Sequence, residues 1–251
     1  MRSAAKIIDN NKLERNNSIG RIFIIPSSLG EEVPDFFSDS AKQIIYSLDF
    51  FIVENERSAR RFLRSIGYKK DFDAIEMLKV DDDKNFLPDD KLLKHFREGK
   101  NAGVISEAGC PGIADPGSAA VKWAHQNRIK VIPLVGPSSI FLALMASGLN
   151  GQQFAFHGYL PVSSSERKQK VKELEEESGR KHQTQIFMET PYRNDALLKD
   201  ILEVLKPSTL LCIAANITLS NEFILTQPSS AWKKKLPDLK KKPAIFLILS
   251  G

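Results

Sequence analysis

What most constrains the fold of this chain is a series of short, nearly unbroken apolar runs: Ile22 to Ile25, Phe50 to Val53, Gly103 to Ile105, Val131 to Val135, Phe154 to Phe156, Ile186 to Met188, Leu210 to Ala214, Phe223 to Leu225 and Ala244 to Leu249. They are too short for helices and rich in β-branched and aromatic residues. Lack of alternation marks strands covered on both faces, the habit of largely parallel sheets. Between them lie stripes of helical period: Ala41, Ile44, Ile45 and Leu48; Ala59, Phe62, Leu63 and Ile66; Leu197, Leu198, Ile201, Leu202 and Leu205. Strands alternating with helices predict an α/β protein. Asp115-Pro116 and Pro137-Ser138 read as helix starts, and Gly148 and Gly179 as helix ends.

The first half alternates regularly and predicts a parallel sheet. In the second, Leu210 to Ala214 and Phe223 to Leu225 are joined by a short loop, which predicts a mixed sheet. With 251 residues the chain suits two modest domains. The seam falls near Gly136-Pro137, giving an N-terminal α/β domain over 18–137 and a C-terminal α/β domain over 138–251. Residues 1–17 are polar and asparagine-rich, and predict a flexible arm rather than a targeting segment.

An apolar content of 42% beside 27% charged residues, with no run near the roughly 18 apolar residues of a membrane span, predicts a soluble cytoplasmic protein with no membrane partner. Two cysteines lack CxxC spacing and four histidines lack HxxxH or HExxH, so no metal site is expected. A net charge of +5 is a weak pointer to an anionic partner.

In a parallel α/β sheet, ligands sit beyond the carboxyl ends of strands. The segment SEAGCPGIADPG, Ser106 to Gly117, lies at such a place. Its glycines let backbone approach a ligand, its prolines stiffen it, and Glu107 is placed to accept hydrogen bonds from sugar hydroxyls. Alternatively the glycines serve turn geometry alone. VGPSS, Val135 to Ser139, repeats the arrangement: Ser138 and Ser139 offer hydroxyls and helix-terminal N–H groups to an anion, or Ser138 simply caps its helix. GxGxxG and GxxxxGK[ST] are both missing, which turns the reading from phosphate-bearing cofactors towards an adenosyl ligand such as S-adenosylmethionine.

After Val53, Arg57, Arg60, Arg61 and Arg64 recur at helical spacing opposite an apolar face, suited to a phosphate backbone or merely to solvent. Glu54 ends its strand and is a candidate base or a cap for that helix. Glu189 and Arg193 follow another strand, where Pro191 alone would explain the turn. No histidine is close in sequence to Cys110, so that residue reads as loop lining rather than a nucleophile.

These loops, in this order, resemble the tetrapyrrole-methylase-fold family of S-adenosylmethionine-dependent methyltransferases, most closely the branch that methylates a cytidine 2′-hydroxyl in small-subunit ribosomal RNA. That branch reads Ser-Asp-Ala-Gly-Thr-Pro-Gly-Ile-Ser-Asp-Pro-Gly where this chain has Ser106 to Gly117. Its Pro-Gly-Pro-Ser and Ala-Ser-Gly-Leu match Leu134 to Ser138 and Ala146 to Leu149, and its Gly-(Phe/Tyr)-Leu-Pro matches Gly158 to Pro161. Glu107 replaces the usual aspartate and Cys110 the usual threonine. Its Glu-Asp-Thr-Arg becomes Glu54-Asn55-Glu56-Arg57, and its Ala-Arg-Glu-Leu-Thr-Lys becomes Ala214 to Leu219, with three charged side chains gone.

The resemblance implies two α/β domains with S-adenosylmethionine in a cleft between them, and a homodimer. The cofactor contacts carried over are Ile25, Pro26, Glu107, Gly109, Cys110, Pro111, Ser138, Ser139, Met188, Ala215 and Ala244. Glu54 and Asp115 are the candidates for accepting the hydroxyl proton, and Arg57, Arg60, Arg61, Arg64 and Arg193 for holding phosphates. The expected substrate is ribosomal RNA or the small subunit. Two alternatives stand beside it: a corrinoid, porphyrin or protein methyltransferase of the same fold, and a non-catalytic ribosome-binding factor.

Overall fold

A computed structural model describes residues 19–30, 36–80, 82–86 and 88–251. The arm expected over 1–17 lies outside the described residues. The described chain divides into two compact units, one holding 19–27 with 36–136 and the other 28–30 with 137–251.

The first unit is built on β1 (Arg21–Ile25), α1 (Asp39–Ser47), β2 (Phe50–Val53), α2 (Glu56–Ser65), β3 (Glu76–Lys79), α3 (Asp90–Arg97), β4 (Ala102–Ile105), α4 (Ser118–Gln126) and β5 (Lys130–Pro133). Its five strands run parallel in the order β3-β2-β4-β1-β5. The all-apolar strands β2 and β4 are buried along their whole length, as their composition predicts. One face carries Ile22, Ile52 and Val104 against Leu92 and Phe96 of α3 and Ala120 and Ala124 of α4. On the other, Gly103 lets Ile25, Phe51 and Leu48 close in: a Cβ there would stand 2.6 Å from the Ile25 Cδ1 atom.

Adjacent strands β1 and β4 feed crossovers that leave in opposite directions along the sheet, to β2 and to β5. Their carboxyl ends therefore open a gap, the switch point at which open α/β sheets bind ligands. The loop 106–117 starts there.

The second unit comprises α5 (Ser139–Ser147), β6 (Phe154–Tyr159), α6 (Ser164–Lys181), β7 (Thr184–Glu189), α7 (Asn194–Val204), β8 (Leu210–Ala215), β9 (Phe223–Pro228), α8 (Ser229–Trp232) and β10 (Ala244–Leu249). Its sheet is mixed, in the order β6-β7-β10-β8-β9, with only the β6–β7 pair parallel. One face packs Phe187 and Phe246 against Val171 and Leu174 of α6 and Leu197 and Ile201 of α7. The other packs Ile186, Cys212, Ala214 and Ile245 against Ile140, Ala143 and Leu144 of α5. Between α6 and α7, the Asp200 carboxylate accepts bonds from Arg167, Nε at 2.8 Å, and from the Ser164 hydroxyl at 2.9 Å.

Two sequence expectations need correction, and one strand escaped the sequence reading. Asp115-Pro116 does not open a helix: α4 begins at Ser118 behind Gly117, because the Asp115 carboxyl is engaged by Ser106 and the Pro116 carbonyl accepts the Gly112 N–H at 3.1 Å. Gly179 does not end α6, which continues to Lys181 and stops at His182 in the left-handed region. At Gly179 the helix lies against Ser250, and the neighbouring Ser178 hydroxyl accepts the Ser250 N–H at 2.9 Å. Finally, β3 was hidden because Glu76-Met77-Leu78-Lys79 has charged ends and no β-branched residue. It pairs only with β2, at a sheet edge where charge is tolerated.

Candidate functional site

The loop 106–117 is held by its neighbours rather than by regular structure. From the end of β1, the Ser27 N–H donates to the Gly109 carbonyl at 2.8 Å and the Ser27 hydroxyl to the Ser106 carbonyl at 3.1 Å. Past the end of β2, the Glu54 carboxylate accepts the Glu107 N–H at 2.9 Å. The Ser58 hydroxyl, in the first turn of α2, donates to Glu107 Oε1 at 3.2 Å. Gly109 (φ 68°), Gly112 (φ 79°) and Gly117 (φ 135°) take conformations natural only to glycine, and Ala114 joins them at φ 62°.

Glu54 does not cap α2. Asn55 does, its side chain accepting the Ser58 N–H at 3.1 Å, which leaves the Glu54 carboxylate to serve the loop. Glu54, Glu107 and Asp115 thus concentrate negative charge in one place. Burial pushes the Asp115 carboxyl up from 3.8 to about 7, the carboxylates of Glu54 and Glu107 push it the same way, and a hydrogen bond with Ser106 opposes them. A carboxyl group poised there is suited to accept a proton near neutral pH. Burial, helped by Asp115, raises the Cys110 thiol above its ordinary 9.0, which keeps it protonated and non-nucleophilic.

Ile25, Pro26, Glu107, Gly109, Cys110 and Pro111 all belong to this corner of the first unit. Gly136, beyond β5, passes so near Pro26 that a Cβ would stand 2.4 Å from the proline Cβ. Arg57, Arg60, Arg61 and Arg64 are all exposed on α2, but they are not equivalent. Arg60 pairs with Glu56 at 3.1 Å and, with Arg64, covers the Phe72 ring; Arg64 also donates to the Tyr68 carbonyl at 2.7 Å. Arg57 and Arg61 have no ion-pair partner among the described residues.

In the second unit, Glu189 of β7, Ala244 of β10, Ala215 of β8 and Phe223 of β9 form one row across the end of the sheet. Ala215 and Ala244 side chains face the layer under α6 and α7, whereas Met188 faces the α5 side. Arg193 is committed to Glu189, 2.6 Å away. Ser138 occupies the N-cap position of α5, yet its hydroxyl makes no capping bond, contrary to the simple capping reading. After β8, Asn216 (φ 52°) and Thr218 (φ 72°) sit in the left-handed region, and the Thr218 hydroxyl is buried without a partner among the described residues.

Sequence reasoning did not single out Ser27, Ser58, Ser106 or Asp83. Ser106 opens the loop and was within reach. Asp83 accepts from Gly117, 34 residues away, and nothing local announces it. Among the described residues no group of three or more His, Cys, Asp or Glu is arranged to hold a metal ion, and no helix is long and apolar enough to cross a membrane.

The family model described as Tetrapyrrole (Corrin/Porphyrin) Methylases matches residues 34–231. Ribosomal RNA small subunit methyltransferase I of Escherichia coli O157:H7 is 30% identical over 239 residues, which cover 94% of this chain and 79% of that protein. Its namesake from Vibrio cholerae is 31% identical over 233 residues, 92% of this chain and 77% of the relative. Among solved structures, the methyltransferase CobJ matches with a TM-score of 0.58 at 14% identity, over 92% of this chain and 95% of that one; this likeness bears on the fold alone.

Proposed function

The chain belongs to the tetrapyrrole (corrin/porphyrin) methylase family, and we propose that it is an S-adenosylmethionine-dependent methyltransferase acting on a cytidine ribose 2′-hydroxyl in small-subunit ribosomal RNA. The observation that carries this reading is the loop 106–117, pinned by Ser27 and Glu54 at the switch point of a parallel sheet. The relatives' shared name as small-subunit ribosomal RNA methyltransferases supports that RNA as the substrate. It works in the cytoplasm as a homodimer.

The residues suit the cofactor chemically. Glu107 presents an exposed carboxylate to ribose hydroxyls, Gly109 and Gly112 carry no Cβ to block close approach, and the N-terminus of α5 at Ser138 and Ser139, where the Ser138 hydroxyl makes no capping bond, offers N–H groups to a carboxylate. Ile25, Pro26, Cys110 and Pro111 complete the proposed contacts in the first unit; Met188 and backbone at Ala215 and Ala244 are those of the second. S-adenosylmethionine supplies an activated methyl group that carries its own leaving group.

The protein's part is then mainly orientation, worth up to roughly 7–11 kcal/mol of barrier at best. Asp115 accepts the hydroxyl proton, and Glu54 keeps the loop, and with it Glu107, in place. Arg57 and Arg61 hold RNA phosphates, while Arg60, Arg64 and Arg193 are partly occupied by Glu56, Phe72, Tyr68 and Glu189.

Charge reversal of Arg57 and Arg61 to glutamate distinguishes RNA from a small macrocycle as acceptor. KM for small-subunit RNA should rise and its salt dependence flatten, because two phosphate contacts are lost, while affinity for S-adenosylmethionine stays the same. Unchanged KM and salt dependence would defeat the RNA assignment and favour an acceptor that needs no basic helix face.

A further inference from the structure

The N-cap position of helix α4 is Gly117, which has no side chain with which to cap it. The missing acceptor arrives from a separate segment. Asp83 stands at the head of a short 3-10 turn, Asp83–Asn85, that Asp82 caps through the Lys84 N–H at 3.0 Å. Asp83 Oδ1 accepts the Gly117 N–H at 2.8 Å and Oδ2 accepts the Ser118 hydroxyl.

This places one fastening at each end of the functional loop. Ser27 and Glu54 hold the upstream arm at Ser106, Glu107 and Gly109. Downstream, the segment Ala114 to Gly117 ends on a glycine at φ 135°, which glycine adopts without strain, and contains a non-glycine residue, Ala114, at φ 62°, a conformation that persists only where the surroundings enforce it. Asp83 supplies that enforcement two residues beyond Asp115.

We propose that Asp83 is a positioning residue: its carboxylate clamps the downstream end of the loop 106–117 to the start of α4 and so fixes the Asp115 carboxyl beside Glu54 and Glu107. This rests on the methyltransferase reading above. Burial works against the Asp83 charge, but the hydrogen bonds from Ser118, Gly117 and Ala119 outweigh it and hold the carboxyl below its ordinary 3.8, so the clamp is charged at neutral pH.

The test compares Asp83→Ala, Asp83→Asn and Ser118→Ala in the full chain, with three readouts: affinity for S-adenosylmethionine by calorimetry, kcat for methyl transfer to small-subunit RNA, and the Asp115 carboxyl titration followed by carbon NMR. With Asp83→Ala, kcat should fall by about 10²-fold, the scale set by displacing a reacting group by about an ångström. Cofactor affinity should change only a few-fold, because the upstream arm keeps its own anchors. The Asp115 midpoint should drop as the carboxyl leaves its partly buried position beside Glu54 and Glu107.

Asp83→Asn retains an acceptor for the Gly117 N–H and should recover most of kcat. Should Asp83→Ala not fold, Ser118→Ala decides, with a smaller fall in kcat at unchanged cofactor affinity expected. Unaltered kcat and Asp115 titration in the folded variants overturn the proposal, as does a loss of cofactor binding that matches the loss of kcat. Failure of the wild-type protein to bind S-adenosylmethionine would instead defeat the methyltransferase reading, while the Asp115 titration would still report on the clamp.

Discussion

Replacing Asp115 with asparagine should make the protein more stable above neutral pH and less active at every pH. Asp115 is partly buried beside Glu54 and Glu107, and its carboxyl is raised from 3.8 to about 7. Between those values the folded chain keeps a proton that the unfolded chain has released. Stability contributed by this proton is therefore full below about pH 4 and lost as pH climbs through about 7. A shift of about three units sets a ceiling near 4 kcal/mol at roughly 1.36 kcal/mol per unit. Partial exposure of Asp115 screens the charges, which reduces the expected effect to about 1–2 kcal/mol.

Asparagine keeps the shape without the charge. Urea unfolding monitored at about pH 5 and about pH 8 should show the variant gaining on wild type by about 1–2 kcal/mol at the higher pH, or about 2–8 °C in Tm. Methyl transfer should meanwhile fall by about 10²–10⁴-fold, the usual worth of a positioned base. If the stability difference between the two proteins stays constant from acid to alkaline pH, the loop does not hold Asp115 among the other carboxylates and the reasoning fails.

Other consequences follow from the same contacts. Ser27→Ala removes the hydroxyl bond to the Ser106 carbonyl, and should raise Kd for S-adenosylmethionine in calorimetry with a stability loss of only about 1 kcal/mol. Phe246→Ala empties the centre of the second sheet, where the ring is fully buried, and should cost about 3–5 kcal/mol in denaturant unfolding. Arg167→Met takes the guanidinium away from the buried Asp200 carboxylate, and should cost about 3–5 kcal/mol in denaturant unfolding.

The sequence was most informative where burial is two-sided. Unbroken runs such as Phe50 to Val53 and Ala244 to Leu249 read as buried strands by their shortness and their β-branched and aromatic content, and they carried both sheets. Glu76 to Lys79 escaped because an edge strand needs no such run. The loop Ser106 to Gly117 announced itself by glycine, proline and carboxylate density, and its position just past a strand run marked Glu107 within it before the family resemblance did. What holds the loop was not legible, since Ser27, Glu54 and Asp83 reach it from 79, 53 and 34 residues away. Helical spacing put four arginines on one face of α2, but only side-chain placement distinguishes Arg60 and Arg64, which cover Phe72, from Arg57 and Arg61.

The most direct measurement is to incubate the protein with labelled S-adenosylmethionine and small ribosomal subunits lacking their methyl groups, then locate the label by digestion to nucleosides. The account predicts label on the ribose of one cytidine, dependent on Asp115. Label on a base, on ribosomal protein or nowhere at all would contradict it.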